Sequence, residues 1–185
     1  NITVYDTGEL LAPSIATINA ATLRAYSGGQ LLLPAVTAYT RADWNTRNEI
    51  RADGEGSLVD LPNITSIDGG LGGDRYGLFD LDIIAANGGE VGITNIAEAP
   101  LDTPLTLTHQ INFSVYGADS LGNNSRIDLR DVTELPGLQN ITVYDTGELL
   151  APSIATINAA TLRAYSGGQL LLPAVTAYTR ADWNT

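Results

Sequence analysis

With 185 residues, 44% of them hydrophobic, the chain is long enough to bury a continuous core. It contains no cysteine, so no disulfide framework supports it and the redox compartment stays open. A net charge of -12, with arginine the only strongly basic side chain, argues against nucleic acid, whose phosphates call for clustered cations; divalent cations or a cationic partner fit better. There is no run of 18 apolar residues to span a bilayer, and Asn1-Ile-Thr-Val-Tyr-Asp6 lacks the basic region that opens a signal peptide. No membrane insertion is expected, and the start is read as internal.

Taken in chain order, the elements form a degenerate cycle. A first apolar strand, Ile2 to Val4, reaches a corner at Gly8; a second, Leu10 to Ala12, ends at Pro13; a third short element carries Ile15 and Ile18. The cycle returns four times, with the residue after the second strand falling at Pro13, Pro34, Pro62, Thr94 and Arg130, then Pro152. The gaps are 21, 28, 32, 36 and 22 residues. Glycine at Gly8, Gly28-Gly29, Gly54 with Gly56, Gly88-Gly89 and Gly117 with Gly122 supplies the first corner, and proline, which cannot donate to a ladder, marks the second.

Aligning the cycles produces columns of one chemical type. Ile2, Leu23, Ile50, Ile83 and Phe113 form one, and Val4, Ala25, Ala52, Ala85 and Val115 the next. After the glycine corner come Leu10, Leu31, Val59, Val91 and Ile127, then Ala12, Leu33, Leu61, Ile93 and Leu129. The spacing of two is a strand period with one face buried. The third element aligns Ile15, Val36, Ile64, Ile96 and Val132, then Ile18, Tyr39, Ile67, Ala99 and Leu135, and its spacing of three implies a bend. These patterns predict an all-β fold, a parallel β-solenoid of stacked rungs; only Ser14 to Ala21 offers a competing helical reading.

Residues 1–46 recur without a substitution as 140–185, a period of 139 residues. Residues 1–139 are therefore read as one complete unit of five rungs and 140–185 as the first two rungs of an identical unit, seven in all within a single continuous solenoid. Neither end carries a polar capping unit, which suggests a window onto a longer array.

Leu31-Leu-Leu-Pro-Ala-Val-Thr-Ala-Tyr39, with Val59-Asp-Leu-Pro-Asn-Ile-Thr-Ser-Ile67, resembles the degenerate repeats of very large bacterial surface proteins. Those are similar to right-handed parallel β-helices of the pectin-lyase-like kind. The resemblance covers essentially the whole chain and implies right-handed winding, in keeping with the usual crossover rule. It also implies an extracellular or cell-surface location.

Gly69-Gly-Leu-Gly-Gly-Asp74-Arg-Tyr76 matches the nonapeptide of calcium β-rolls, but it occurs once, so calcium would need ligands from Asp68, Asp80 or Asp82. The competing reading is a plain glycine-rich loop, and no cofactor is assigned. Asp60 and Asp128 occupy equivalent outward positions two rungs apart, at the upper end of the separation a paired-carboxylate site needs, with Gly92 rather than an acid between them. His109 is read as a surface polar residue on a connection, and Arg24 and Arg51 as stacked neighbours that either bind an acidic glycan or form a solvated face. Thr37, Thr65 and Thr133 share a column, interrupted by Ala16 and Ala97, whose hydroxyls satisfy local hydrogen bonds rather than form an ice-binding face. The Asn-x-Ser/Thr sites at Asn1, Asn63, Asn112, Asn123 and Asn140 lie mostly in or beside predicted strands, where glycosylation is not expected. Leu11 and Leu32, with their copies Leu150 and Leu171, are outward apolar pairs: either lateral docking points or residues covered by long loops such as 40–49 with Trp44.

No catalytic residue is assigned. The leading functional reading is a structural repeat of a long extracellular filament, stalk or giant surface protein, because identical units make length or multivalency the useful quantity. Its partner is itself, end to end and by lateral bundling. A glycan- or receptor-binding adhesin gripping through loops 40–49, 68–80 and 100–110 is the alternative. A polysaccharide-active β-helix enzyme ranks last, since lysine is absent and no acidic cluster forms.

Overall fold

The computed structural model describes residues 1–41, 48–70, 80–94, 105–137 and 139–179, and in them the chain is all-β. A first sheet joins Ile2–Tyr5, Leu23–Tyr26, Asn48–Asp53, Leu81–Ala86, Ile111–Tyr116, Asn140–Tyr144 and Thr161–Tyr165 as seven parallel strands. A second joins Glu9–Leu11, Gln30–Leu32, Leu58–Leu61, Glu90–Ile93, Arg126–Asp128, Glu148–Leu150 and Gln169–Leu171, again as seven parallel strands. In both sheets neighbours lie three strands apart in sequence. This stacking in chain order fits a parallel β-solenoid.

The apolar columns read from the sequence are the observed ladder partners. Ile2 pairs Leu23, Leu23 pairs Ile50, Ile50 pairs Ile83 and Ile83 pairs Phe113. Leu10, Leu31, Val59, Val91 and Ile127 are likewise consecutive partners in the second sheet. From Leu23 and Leu31 through Phe113 and Ile127 these side chains are sealed from solvent, because each packs on a like side chain in the strand before it and the strand after it. The edge strands show the dependence directly. Leu10 is 36% exposed while its copy Leu149, with strands on both sides, is 0% exposed, and Tyr39 at 1% contrasts with Tyr178 at 59%.

The third series differs from the alignment. Thr17–Asn19, Ala38–Thr40, Ser66–Asp68 and Thr106–Thr108 make a four-stranded sheet, whereas Glu134–Leu135, Thr156–Asn158 and Ala177–Thr179 make a separate three-stranded one. The segment 14–21 that admits a helix is a strand at Thr17–Asn19. Ile96 and Ala99 lie outside the described residues, and the partner of Ile67 is Leu107, within the segment read as a loop. The break has a register cause. Inward residues of this series are three apart at Val132 and Leu135 but two apart at Leu105 and Leu107, so the single bridge Leu105–Val132 cannot extend into a ladder.

Both corners are β-turns. The N–H of Gly29 donates to the carbonyl of Tyr26 at 3.0 Å, with Ser27 at φ 54° and Gly28 at φ 93°, the signature of a type I′ turn. Asn87 and Gly88 repeat it at φ 50° and 84°. The following glycine serves a different need: at Gly89 a Cβ would stand 2.4 Å from the Ala52 carbonyl oxygen. In the first cycle it is Asp6, not Gly8, that takes the positive φ, at 55°; a short side chain that can bond its own backbone tolerates that region. At the second corner the Val36 N–H donates to Leu33 carbonyl at 3.2 Å, with Pro34 in the position whose fixed φ suits such a turn.

Two serines replace the corner glycine. The Ser57 hydroxyl donates to the Asp53 carbonyl at 2.9 Å and accepts the Gly28 N–H at 3.0 Å; the Ser125 hydroxyl donates to the Tyr116 carbonyl at 2.8 Å and accepts the Gly88 N–H at 3.0 Å. Both are buried. Replacing Ser125 with alanine leaves the Gly88 N–H without its acceptor and should cost about 1–3 kcal/mol, and Gly89→Ala should cost about as much through overpacking. Denaturant unfolding of each variant checks both values; no change for Gly89→Ala would refute the close approach to Ala52.

Candidate functional site

The outward positions hold the chemistry, since inward ones are apolar. On the second sheet one outward column runs Leu11, Leu32, Asp60, Gly92, Asp128, Leu150 and Leu171, each paired with the next. Its centre is the charged part of the face. Gly92 separates the two aspartates, as the alignment has it, and leaves a slot: a Cβ there would lie 2.8 Å from Asp60 Oδ1.

The two carboxylates have different surroundings. Asp128 is 2% exposed because guanidinium groups roof it: Arg126 Nη2 donates to it at 3.1 Å, and Arg130 donates through both Nε and Nη2. The Arg130 backbone N–H adds a bond of 3.1 Å. These bonds, and then the charge of Asp128, hold the Arg130 guanidinium more firmly protonated than usual. Asp60 has no cationic partner among the described residues. Burial, and then the neighbouring Glu90, push its carboxyl above the usual range. The pair therefore offers one carboxyl without a cation beside it and one held between two arginines, not two cooperating carboxylates.

The remaining candidates fall elsewhere. Arg24 and Arg51 do pair on adjacent strands of the first sheet, but Arg24 is bonded to Glu49 and Arg51 to Asp53 at 2.5 Å. Their charge is met within the chain. The Thr37 hydroxyl donates to the Ala16 carbonyl at 3.3 Å and the Thr65 hydroxyl to the Thr37 carbonyl at 3.0 Å, so this column does satisfy local hydrogen bonds. Asn63 is tied to the Pro34 carbonyl at 2.8 Å, and Asn140 to Asn112 at 2.9 Å. Asp74 and Trp44 lie outside the described residues. Of the acids named to support Asp74, Asp68 accepts the Gly70 N–H at 2.8 Å, Asp80 accepts from Gln110 at 2.7 Å and Asp82 from Asn112 at 3.0 Å.

Two features escaped the sequence reading. His109 sits in the turn after Thr106–Thr108 at φ 59°, and its Nδ1 meets Asp68 Oδ1 at 2.5 Å. The Asp68 carboxyl is worked upward by burial, but the bonds from His109 and the Gly70 N–H outweigh this and hold it below the usual range. The second is an aromatic ladder outside the first sheet. Tyr5 stacks on Tyr26 with centroids 5.5 Å apart, and Tyr116, Tyr144 and Tyr165 stack at 5.0 and 5.2 Å. Each stacked pair contributes about 0.5–1.5 kcal/mol beyond its buried area. Tyrosine at the end of five of the seven first strands was the available signal; its register across cycles, interrupted by Asp53 and Ala86, makes the ladder.

The two perturbed aspartates give opposite pH signs. Asp60, raised on folding, favours the fold below the ordinary Asp range and loses that contribution as pH rises through its folded value; Asp60→Asn should raise the melting temperature at pH 7 and leave it unchanged near pH 3. Asp68, lowered on folding, stabilises above the ordinary range and loses that contribution as pH falls; Asp68→Asn should lower the melting temperature at pH 7, with the difference closing in acid. Melting curves across pH 3–7 check both, and two shifts of the same sign would refute the assignment.

No family model matches the chain, nor does any curated protein or solved structure.

Proposed function

We propose that the chain is a structural repeat of a long extracellular filament, stalk or giant surface protein, a right-handed solenoid in which five of seven rungs make one 139-residue unit. The observation that carries this reading is how the second copy of the 46-residue segment enters the stack. Ile141 takes the column of Ile2 and Leu149 that of Leu10, each with ladder partners on both sides and without a change of register. A unit that continues its own columns can be added any number of times, and stability then grows roughly as a sum over neighbours. Four arginines of the outer faces, Arg24, Arg51, Arg126 and Arg130, are engaged by acids of the same chain, which suits a scaffold better than a catalytic cleft.

Multivalent glycan binding is the second reading, and the exposed rings of Tyr116 and Tyr165 favour it. Sugars stack on aromatic faces, and many weak copies would add avidity.

Chains of one, two and three complete units discriminate among these. At a strand spacing of about 4.8 Å, each five-rung unit should lengthen the particle by about 24 Å in electron micrographs or small-angle scattering. Particles that grow in all dimensions would overturn the rod. Glycan-array signal rising with unit number would favour the adhesin, and turnover of acidic or neutral polysaccharides would favour an enzyme.

A further inference from the structure

We infer that the outward face of the second sheet is a docking surface for a second copy of this chain, packed face to face with the two stacks running antiparallel. The inference rests on the rod reading above and adds to it the surface, the orientation and the pairing rule.

The central column is palindromic. Leu11, Leu32, Asp60, Gly92, Asp128, Leu150 and Leu171 read the same in both directions about Gly92. A two-fold axis through Gly92, parallel to the strands, sets Leu11 of one copy against Leu171 of the other and Leu32 against Leu150. Strand spacing is common to both copies, so the match holds at every strand, as an isologous interface requires. Leu32 and Leu150, which have strands on both sides, remain half-buried with their outward side chains partly open to solvent. At one end Leu150, Pro152, Leu171 and Pro173 wall an apolar groove of about 320 Å³ that continues to Arg126 and Arg130.

Charge breaks the palindrome in the direction that favours pairing. The aspartates are alike, but Asp128 is flanked by Arg126 and Arg130, whereas Asp60 has Leu58 and Pro62 beside it. Arg126 and Arg130 are offset by Asp128 and by Glu148, the ladder neighbour of Arg126, which leaves one half of the face near neutral; Asp60 and Glu9 leave the other half negative. The two-fold operation brings each half onto its opposite, placing Asp60 of one copy against the Arg126, Asp128 and Arg130 group of the second. Glu90 meets its symmetry mate across the axis with Arg126 as its ladder neighbour. The opposite orientation, with stacks parallel, would set Asp60 against Asp60 and the arginines against each other.

The face is narrow. Seven strands of three or four residues cover roughly 34 by 12 Å, about 400 Å² per copy, below the size of a stable specific interface. Pairing of this chain alone is accordingly weak and strengthens with every added unit, as lateral bundling of a rod demands.

The chain has no cysteine, so single-cysteine variants report the contact cleanly. Leu32→Cys and Leu150→Cys chains, mixed and treated with a bis-maleimide reaching the roughly 10 Å between facing sheets, should cross-link to each other, while either variant alone should not. Leu11→Cys with Leu171→Cys is the independent second pair. Asp60→Arg should abolish both cross-links without changing the far-ultraviolet circular dichroism. Self-cross-linking of Leu32→Cys alone would mean parallel packing and overturn the inference, as would no cross-link from either pair. Rod length in the three-unit chain separates the two ideas: long single rods without cross-links sink the docking face alone, whereas compact particles sink the rod reading beneath it.

Discussion

Parallel stacking of successive strands governs everything else in this chain. A parallel ladder holds each residue directly over its counterpart at a spacing of about 4.8 Å, so whatever a position carries it presents to a near copy of itself. Apolar residues profit from that and close the core in columns. Charges do not, and where arginines stack, as Arg24 on Arg51, each is met by an acid, Glu49 and Asp53, just as Asp128 is held between Arg126 and Arg130. Small residues at the corners follow from the same constraint, because the chain must turn twice within a few residues beneath another turn already in place.

That constraint explains what was legible. A strand period of two, interrupted by glycine and proline at matched places, fixes which residues face inward, and the first two sheets were readable to the residue from that pattern alone. The third series was not. Its elements are short, its spacing is a bend rather than a strand period, and the strand that pairs with Ser66–Asp68 is Thr106–Thr108, beyond the long segment that follows Thr94. Only the pairing of Leu107 with Ile67 reveals the shift.

The outer faces were legible in placement but not in energetics. The equivalence of Asp60 and Asp128 follows from alignment, yet the difference between them depends on side chains two positions away, where Arg126 and Arg130 stand in one strand and Leu58 and Pro62 in another. The bond between His109 and Asp68 joins residues 41 apart through a turn of positive φ that no local rule assigns to histidine. The tyrosine ladder needs register across cycles before five scattered residues become two stacks.

The interrupted third series has a mechanical meaning. At the junction between the two sequence copies all three series are continuous: Phe113 pairs Ile141, Ile127 pairs Leu149 and Leu135 pairs Ile157, with Tyr116 stacked on Tyr144 across the seam. One cycle earlier, between Thr106–Thr108 and Glu134–Leu135, one series in three is held by a single bridge. Among the described residues the stack is therefore tied least inside the unit rather than where units abut. A fibre assembled from such units would carry its fuses at regular intervals, each one shielded within a repeat, and its seams would outlast them.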